Sequence, residues 1–242
     1  MSIAPTDADV LLVVDVQKDF CPDGRLAVPR GDEVVPIVNR LAAKFAHVVL
    51  TQDWHPAGHL SFASSHPGKQ PYQTIDIAYG PQVLWPDHCV QNTPGAEFRD
   101  DLQIPHAALV IRKGFRRAID SYSAFYENDR ATPTGLAGYL RERGLRRVFL
   151  AGLAFDFCVR YSAEDAHREG LEAIVIEDAC RGIDVDGSVE ATRNGWRSST
   201  CGAWRPRKFR SPHGAQRNAG FPDFASLHPG YKRFLSICSA GT

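Results

Sequence analysis

Val10-Leu11-Leu12-Val13-Val14-Asp15 decides the fold: five apolar residues, three of them β-branched, closed by an acid. A run this short falls far below the ~20 residues that cross a bilayer. It is continuous rather than alternating, which marks a strand buried on both faces. Runs of the same kind recur at residues 48–53, 108–113, 147–152 and 173–178. Between them the apolar spacing predicts helices over residues 32–46, 135–143 and 156–169, with Gly144 and Gly170 as stops for the last two. Strand, helix, strand in this order implies an α/β, doubly wound, mainly parallel sheet with helices on both faces. Only residues 54–106 break the rhythm. That stretch is rich in Pro, Gly, His and aromatic residues, and a long ordered loop in a compact α/β domain is usually functional.

The chain has 242 residues and 26.7 kDa, with 43% hydrophobic and 23% charged side chains. These values fit one globular domain, or one domain with an appendage, and exclude fibrous or wholly disordered classes. No apolar run reads as a membrane span, and residues 1–9 lack the basic start and small-residue cleavage site of a signal peptide. The expected location is therefore the cytoplasm. Six cysteines without regular spacing suit reduced thiols better than a disulfide framework. The zero net charge hides a division: from Arg193 to Thr242 nine Lys or Arg face one acid, Asp223, a balance of +8 that leaves the first 192 residues at −8. Those last residues hold only three Ile, Leu or Val, namely Leu227, Leu235 and Ile237. So few aliphatics cannot offset the entropy of ordering. The expectation is a domain over residues 1–192 and a basic, disordered tail over 193–242, whose removal after Thr192 changes little.

In open α/β sheets ligands sit beyond the carboxyl ends of the strands. Those ends carry Asp15, Asp53, Lys113 and, just past the fourth strand, Cys158. Singly each has a bland reading: an Asp caps a turn, a Lys is solvated, a Cys packs. An acid, an amine and a thiol at one sheet edge instead form a candidate nucleophilic centre, because a thiolate needs a cation to hold it and a base to take its proton. Asp156 reads as an N-cap, which puts Cys158 in the first turn of a helix, where the dipole lowers a thiol pKa and free N–H groups offer an oxyanion hole. A second group is Asp53 and His55, on the same side of an extended strand end, with His59 after a turn and His88 further on. This nitrogen and oxygen set suits zinc, iron or manganese. Cys89 is read as packing.

The stretches from Val13 to Phe20, Thr51-Gln52-Asp53-Trp54-His55-Pro56, Trp85 to Gly95, Arg112-Lys113-Gly114 and Gly152 to Val159 resemble the bacterial nicotinamidases, within the isochorismatase-like cysteine hydrolases. The likeness spans about residues 8–192. It implies a triad of Asp15, Lys113 and Cys158, a metal site of Asp53, His55, His59 and His88, and a cis peptide ahead of Ala154. It also implies an oxyanion hole from the N–H groups of Ala154 and Cys158, and pocket walls from Phe20, Trp85 and Tyr122.

The reaction implied is that of an amidohydrolase on a linear carboxamide. Nicotinamide is hydrolysed to nicotinate and ammonia through a cysteine thioester, with one divalent metal ion, zinc first, and a place in NAD salvage. Pyrazinamide is a further candidate substrate, and a homo-oligomer stays open. Two other readings also stay open: a catalytically impaired relic, and a non-catalytic metal-binding module. Two departures stand out. Phe155 occupies a position where the family commonly has Thr, and after Thr192 the expected remainder of a helix and a last strand give way to the basic tail. A frameshift produces such a change, as does a genuine extension. A nucleic-acid-binding tail is disfavoured for want of a motif.

Overall fold

The computed structural model describes residues 4–198 and 207–209. The apolar runs form β1 (Asp9–Val14), β2 (His47–Asp53), β5 (Leu109–Lys113), β6 (Arg147–Leu153) and β7 (Glu172–Arg181). The interiors of β1, β2 and β6 and most of β7 are buried because helices cover the sheet, whereas edge strand β5 exposes Val110 and Arg112: the helices are α1 (Val34–Ala42), α2 (Leu136–Glu142), α3 (Arg160–Arg168) and α4 (Ser188–Ser198). The sheet runs β5-β2-β1-β6-β7-β8, where β8 (Arg207–Phe209) is three residues long, and every pairing in it is parallel. In chain order this is third, second, first, fourth, fifth, sixth. The sheet therefore grows in one direction from β1 to β5 and in the other from β6 onward. Right-handed crossovers in opposite directions put helices on opposite faces, and a crevice opens where the order reverses, between β1 and β6.

Register carries the chain's chemistry to that crevice. Asp53 and Lys113, the last residues of β2 and β5, are direct neighbours across the sheet. Val14 faces Gly152, whose φ of 121° and lack of a Cβ let β6 pass the carbonyl of Val14 without overlap. The long segment after β2 contains a small antiparallel hairpin, β3 (Thr74–Ile77) with β4 (Gly80–Val83). Trp85 N–H then donates to the carbonyl of Ser61 at 2.8 Å and Gln91 N–H to that of His55 at 2.8 Å, which lays this segment across the strand ends.

Three expectations change. The helix foreseen from Asp156 begins instead as a π-helical turn, Phe155–Val159, with Ala154 as its cap, and only then becomes α3. The boundary at Arg193 falls inside α4, which runs on to Ser198, and Trp196 in that extension is 4% exposed. The physical reason is local: Trp196 stacks edge-on against Phe155, ring centroids 5.3 Å apart, and Arg193 pairs with Glu177 at 2.7 Å. Where the last strand was expected to be missing, the three-residue β8 pairs along Ile174–Ile176 of β7. Most of the tail expected to be disordered lies outside the described residues. Among the described residues no helix is long and apolar enough to cross a membrane.

Candidate active site

Lys113 is the hub of the crevice. It is wholly buried, its Nζ lying 2.8 Å from Asp15 Oδ2, 3.4 Å from Cys158 Sγ and 3.0 Å from the carbonyl of Ser121, and it also donates to Asp53 Oδ1. Asp15 follows β1 with φ 46°, in the left-handed region that Asp tolerates. The hydroxyl of Thr51 donates to Asp15 Oδ1 at 2.6 Å. Cys158 reaches the same point from the turn after β6 and is 6% exposed. The peptide Leu153–Ala154 at the head of that turn is cis.

These charges settle one another. Burial alone opposes an ammonium, yet the carboxylates of Asp15 and Asp53 raise the pKa of Lys113 well above its usual value, so it stays charged. Burial likewise opposes the carboxylate of Asp53, and Lys113 with His55 and His88 overrides it, holding that carboxyl well below the usual range. At Asp15 burial prevails over the pull of Lys113 and raises the pKa, which makes it the stronger base of the two acids. Burial also pushes the Cys158 thiol well up, Lys113 pulling against it and the two carboxylates reinforcing it. The sequence expectation of a lowered thiol pKa is thereby corrected: the first-turn position and one cation do not outweigh full burial beside two anions.

Asp53 faces two ways. While Oδ1 meets Lys113, Oδ2 lies 3.6 Å from His55 Nε2 and 3.8 Å from His88 Nε2. His55 Nδ1 donates to the carbonyl of Gly114 at 2.9 Å, and His88 Nδ1 to that of Pro86 at 2.8 Å. Both Nε2 atoms are thus left with lone pairs turned toward Asp53, the usual outer bonding of metal-ligating histidines. Gly114 is needed here, since a Cβ would overlap the His55 ring. Burial disfavours a charged His55, but Asp53 outweighs it and raises its pKa, and a field that favours a proton there also favours a metal cation. The ligand atoms of Asp53, His55 and His88 lie within 4.8 Å of one another, all buried, so the donor set fits a divalent ion.

His59 is placed differently. Its ring stands 4.4 Å from that of His55, but Nδ1 accepts from the Ser61 N–H at 3.2 Å and Nε2 donates to the carbonyls of Arg116 at 2.9 Å and Ile119 at 3.2 Å. It groups with His55 and Asp120 rather than with Asp53 and His88. Cys89 is buried outside these groups, its thiol pushed well up by burial.

A cavity opens between the two centres. Phe20, Trp85 and Tyr122 line it together with Asp53, His55, His88, Ala154 and Cys158. The Trp85 indole N–H donates to the Tyr122 hydroxyl at 3.1 Å. The sequence analysis did not single out Leu26, Val28, Asp120, Phe157 and Ile183, which also line it. Phe157, edge-on to Trp85 at 4.9 Å, sits next to Cys158 in sequence and was open to notice. Leu26 and Val28 share the loop before α1 and Ile183 comes from the loop after β7, and no spacing relates the two loops.

Two supporting residues were likewise passed over. Gln17 holds Asp53 by its backbone, accepting from its N–H at 2.8 Å and donating to its carbonyl at 2.8 Å. Asp19 accepts from the N–H of Cys89 at 2.7 Å, which steadies the segment bearing His88. Both lie in the motif that follows β1.

The family model for the isochorismatase domain matches residues 9–199. A nicotinamidase of Acinetobacter baylyi is 57% identical over 180 residues, covering 74% of this chain and 84% of the relative. Among solved structures, an Acinetobacter baumanii nicotinamidase and pyrazinamidase superposes with a TM-score of 0.79 at 53% identity, over 84% of this chain and 97% of its own. A Pyrococcus horikoshii pyrazinamidase in complex with zinc gives 0.65 at 34% identity, over 84% of this chain and 99% of its own.

Proposed function

The chain belongs to the isochorismatase family, and from that premise we infer that it is a nicotinamidase, an amidohydrolase that converts nicotinamide to nicotinate and ammonia. The observation that carries the reading is the buried ammonium of Lys113 between the Asp15 carboxylate and the Cys158 sulfur, with Cys158 lining an aromatic cavity. Relic and metal-module alternatives are not favoured: a relic need not keep this constellation, and a metal module needs no thiol in it.

In the proposed reaction the amide lies in the cavity with its carbonyl carbon at Cys158 and its ring between Phe20, Trp85 and Tyr122. Asp15 takes the thiol proton as sulfur adds to the carbon. Its raised proton affinity makes it a better acceptor than an ordinary carboxylate for the proton of a thiol that burial also pushes up. Lys113 holds the sulfur's charge before the bond forms. The oxyanion is received by the N–H groups of Ala154 and Cys158. Asp15 then returns its proton to the leaving nitrogen, the C–N bond breaks, and ammonia departs from a thioester. Water enters, gives a proton to Asp15 and adds its oxygen to the same carbon. The C–S bond breaks, Asp15 reprotonates the sulfur, and the acid product gives its remaining proton to ammonia or solvent as it leaves as nicotinate.

Asp53, His55 and His88 would hold a divalent metal ion, zinc by the chemistry of the donor set; His59, the further ligand expected from sequence, would have to give up its bonds to the Arg116 and Ile119 carbonyls to join them. Such an ion supplies a Lewis-acidic anchor for a ring nitrogen. Asp53 orients both ends, since its two oxygens face the metal group and Lys113. Pyrazinamide shares the carboxamide and a ring nitrogen and is the second proposed substrate. A cytoplasmic location agrees with four buried, unpaired cysteines among the described residues. The test is Cys158→Ala with nicotinate and ammonia measured together: activity is expected to vanish while metal content stays unchanged. Turnover at an appreciable fraction of the parent rate would overturn the assignment.

A further inference from the structure

Asp156 is buried in the turn that carries Cys158, two residues before the sulfur, and touches neither Lys113 nor the metal group among its hydrogen bonds. Instead its carboxylate reaches across the chain to the loop after β7. Oδ1 accepts from the Ile183 N–H at 3.0 Å, Oδ2 from the Asp184 N–H at 2.8 Å, and Oδ2 also from the Ser188 hydroxyl at the start of α4. Ile183 is a wall of the cavity that Cys158 opens into. The loop comes so close that a Cβ on Gly182 would lie 3.1 Å from Asp156 Oδ1 as well as overlapping Val189. Asp184 and Asp186 are held at φ 58° and 50°, left-handed backbone that Asp tolerates better than most residues but that still costs more than the extended or right-handed helical regions.

We propose that Asp156 is a positioning residue that locks the turn bearing the nucleophile to the loop bearing Ile183, so that nucleophile and pocket wall keep one spacing. Three acceptor bonds from one carboxylate span 27 to 32 residues of sequence, and no other described side chain ties these two segments by more than one bond. The Asp184 and Asp186 backbone relaxes once the tie is cut, carrying Ile183 away from the substrate ring. This inference rests on the nicotinamidase reading for its substrate, though not for its geometry.

The test is a double-mutant cycle on the full chain with Asp156→Asn and Ile183→Ala. An amide in place of the carboxylate turns an NH2 toward backbone N–H donors, so at least one bond is lost and a buried donor is orphaned. The expected result is a KM for nicotinamide raised about tenfold, the size of one buried hydrogen bond, with kcat changed less. Ile183→Ala alone raises KM by a smaller factor, and the double variant is no worse in KM than Asp156→Asn alone, because an unlocked wall no longer contributes. Multiplication of the two effects overturns the proposal. Should Asp156→Asn not fold, Ser188→Ala removes one bond and enters the same cycle with the same deciding outcomes. Alkylation of Cys158 by iodoacetamide, followed by peptide mass, is a readout without substrate: faster labelling in Asp156→Asn is expected, and an unchanged rate with only a lowered Tm overturns the proposal. If the parent chain leaves nicotinamide intact, the functional reading fails while the alkylation comparison still decides the role of Asp156.

Discussion

Replacing Trp196 by Ala in the full chain should destabilise the fold far more than its place in a compositionally foreign segment suggests. The side chain is 4% exposed and packs edge-on against Phe155 at 5.3 Å, directly behind the turn that holds Cys158. Truncating a buried Trp costs ~3–5 kcal/mol, which already includes the ~0.5–1.5 kcal/mol of an aromatic pair. For a chain of this size each kcal/mol moves Tm by roughly 2–4 °C, so the expected loss is roughly 6–20 °C. Ending the chain after Thr192 should cost at least as much. The Arg193–Glu177 pair that also goes is partly solvated and worth at most ~1 kcal/mol. This reverses the expectation from composition that trimming there changes little. Ending the chain after Ser198 keeps Trp196 and removes β8, so Tm should fall less while the outer edge of β7 becomes free for self-association. Differential scanning calorimetry on the four proteins, with nicotinamide turnover measured alongside, decides the matter. A Tm for Trp196→Ala within ~2 °C of the parent would refute the packing role of Trp196.

Chelation, and His88→Ala, should raise KM more than they lower kcat, since the metal group faces the ring while Lys113 and Asp15 face the thiol; full metal occupancy in His88→Ala would remove His88 from the ligand set. Asp53→Asn should reduce both metal content and kcat, because one carboxylate serves both groups. Thr51→Val deletes a donor to the Asp15 carboxylate, a bond that favours the charged form, so the pKa of Asp15 rises further and the acid limb of the kcat/KM profile should move to higher pH; an unmoved limb counts against Asp15 as the base. Glu33 is held at about 2, by Arg30 first and Arg181 as well against the opposing effect of burial. Its contribution to stability is therefore present above the ordinary carboxyl range and disappears as pH falls toward 2. Glu33→Gln should lower Tm slightly at pH 7, within about 1 kcal/mol for so exposed a pair, and the gap to the parent should close in acid.

The sequence by itself determined the sheet and the direction in which to look. Uninterrupted apolar runs such as Val10–Val14 have one stable destination, a strand covered on both faces, and the residue that ends each run then falls at a strand's carboxyl end. Asp15, Asp53 and Lys113 were legible for that reason, Cys158 because it follows just past the fourth strand, and His55 and His88 through the motifs around them. The sequence could not show that Asp53 serves both the lysine and the histidines, because that depends on β2 and β5 being in register. Nor could it show that His59 spends its nitrogens on Ser61, Arg116 and Ile119, or that Leu26, Val28 and Ile183 meet in one cavity. Composition misjudged residues 193–198 because a mean over a segment is blind to a single buried Trp. Only the tertiary structure decided these points: a hydrogen bond or a pocket wall depends on distances between residues far apart in the chain, which neither periodicity nor composition encodes.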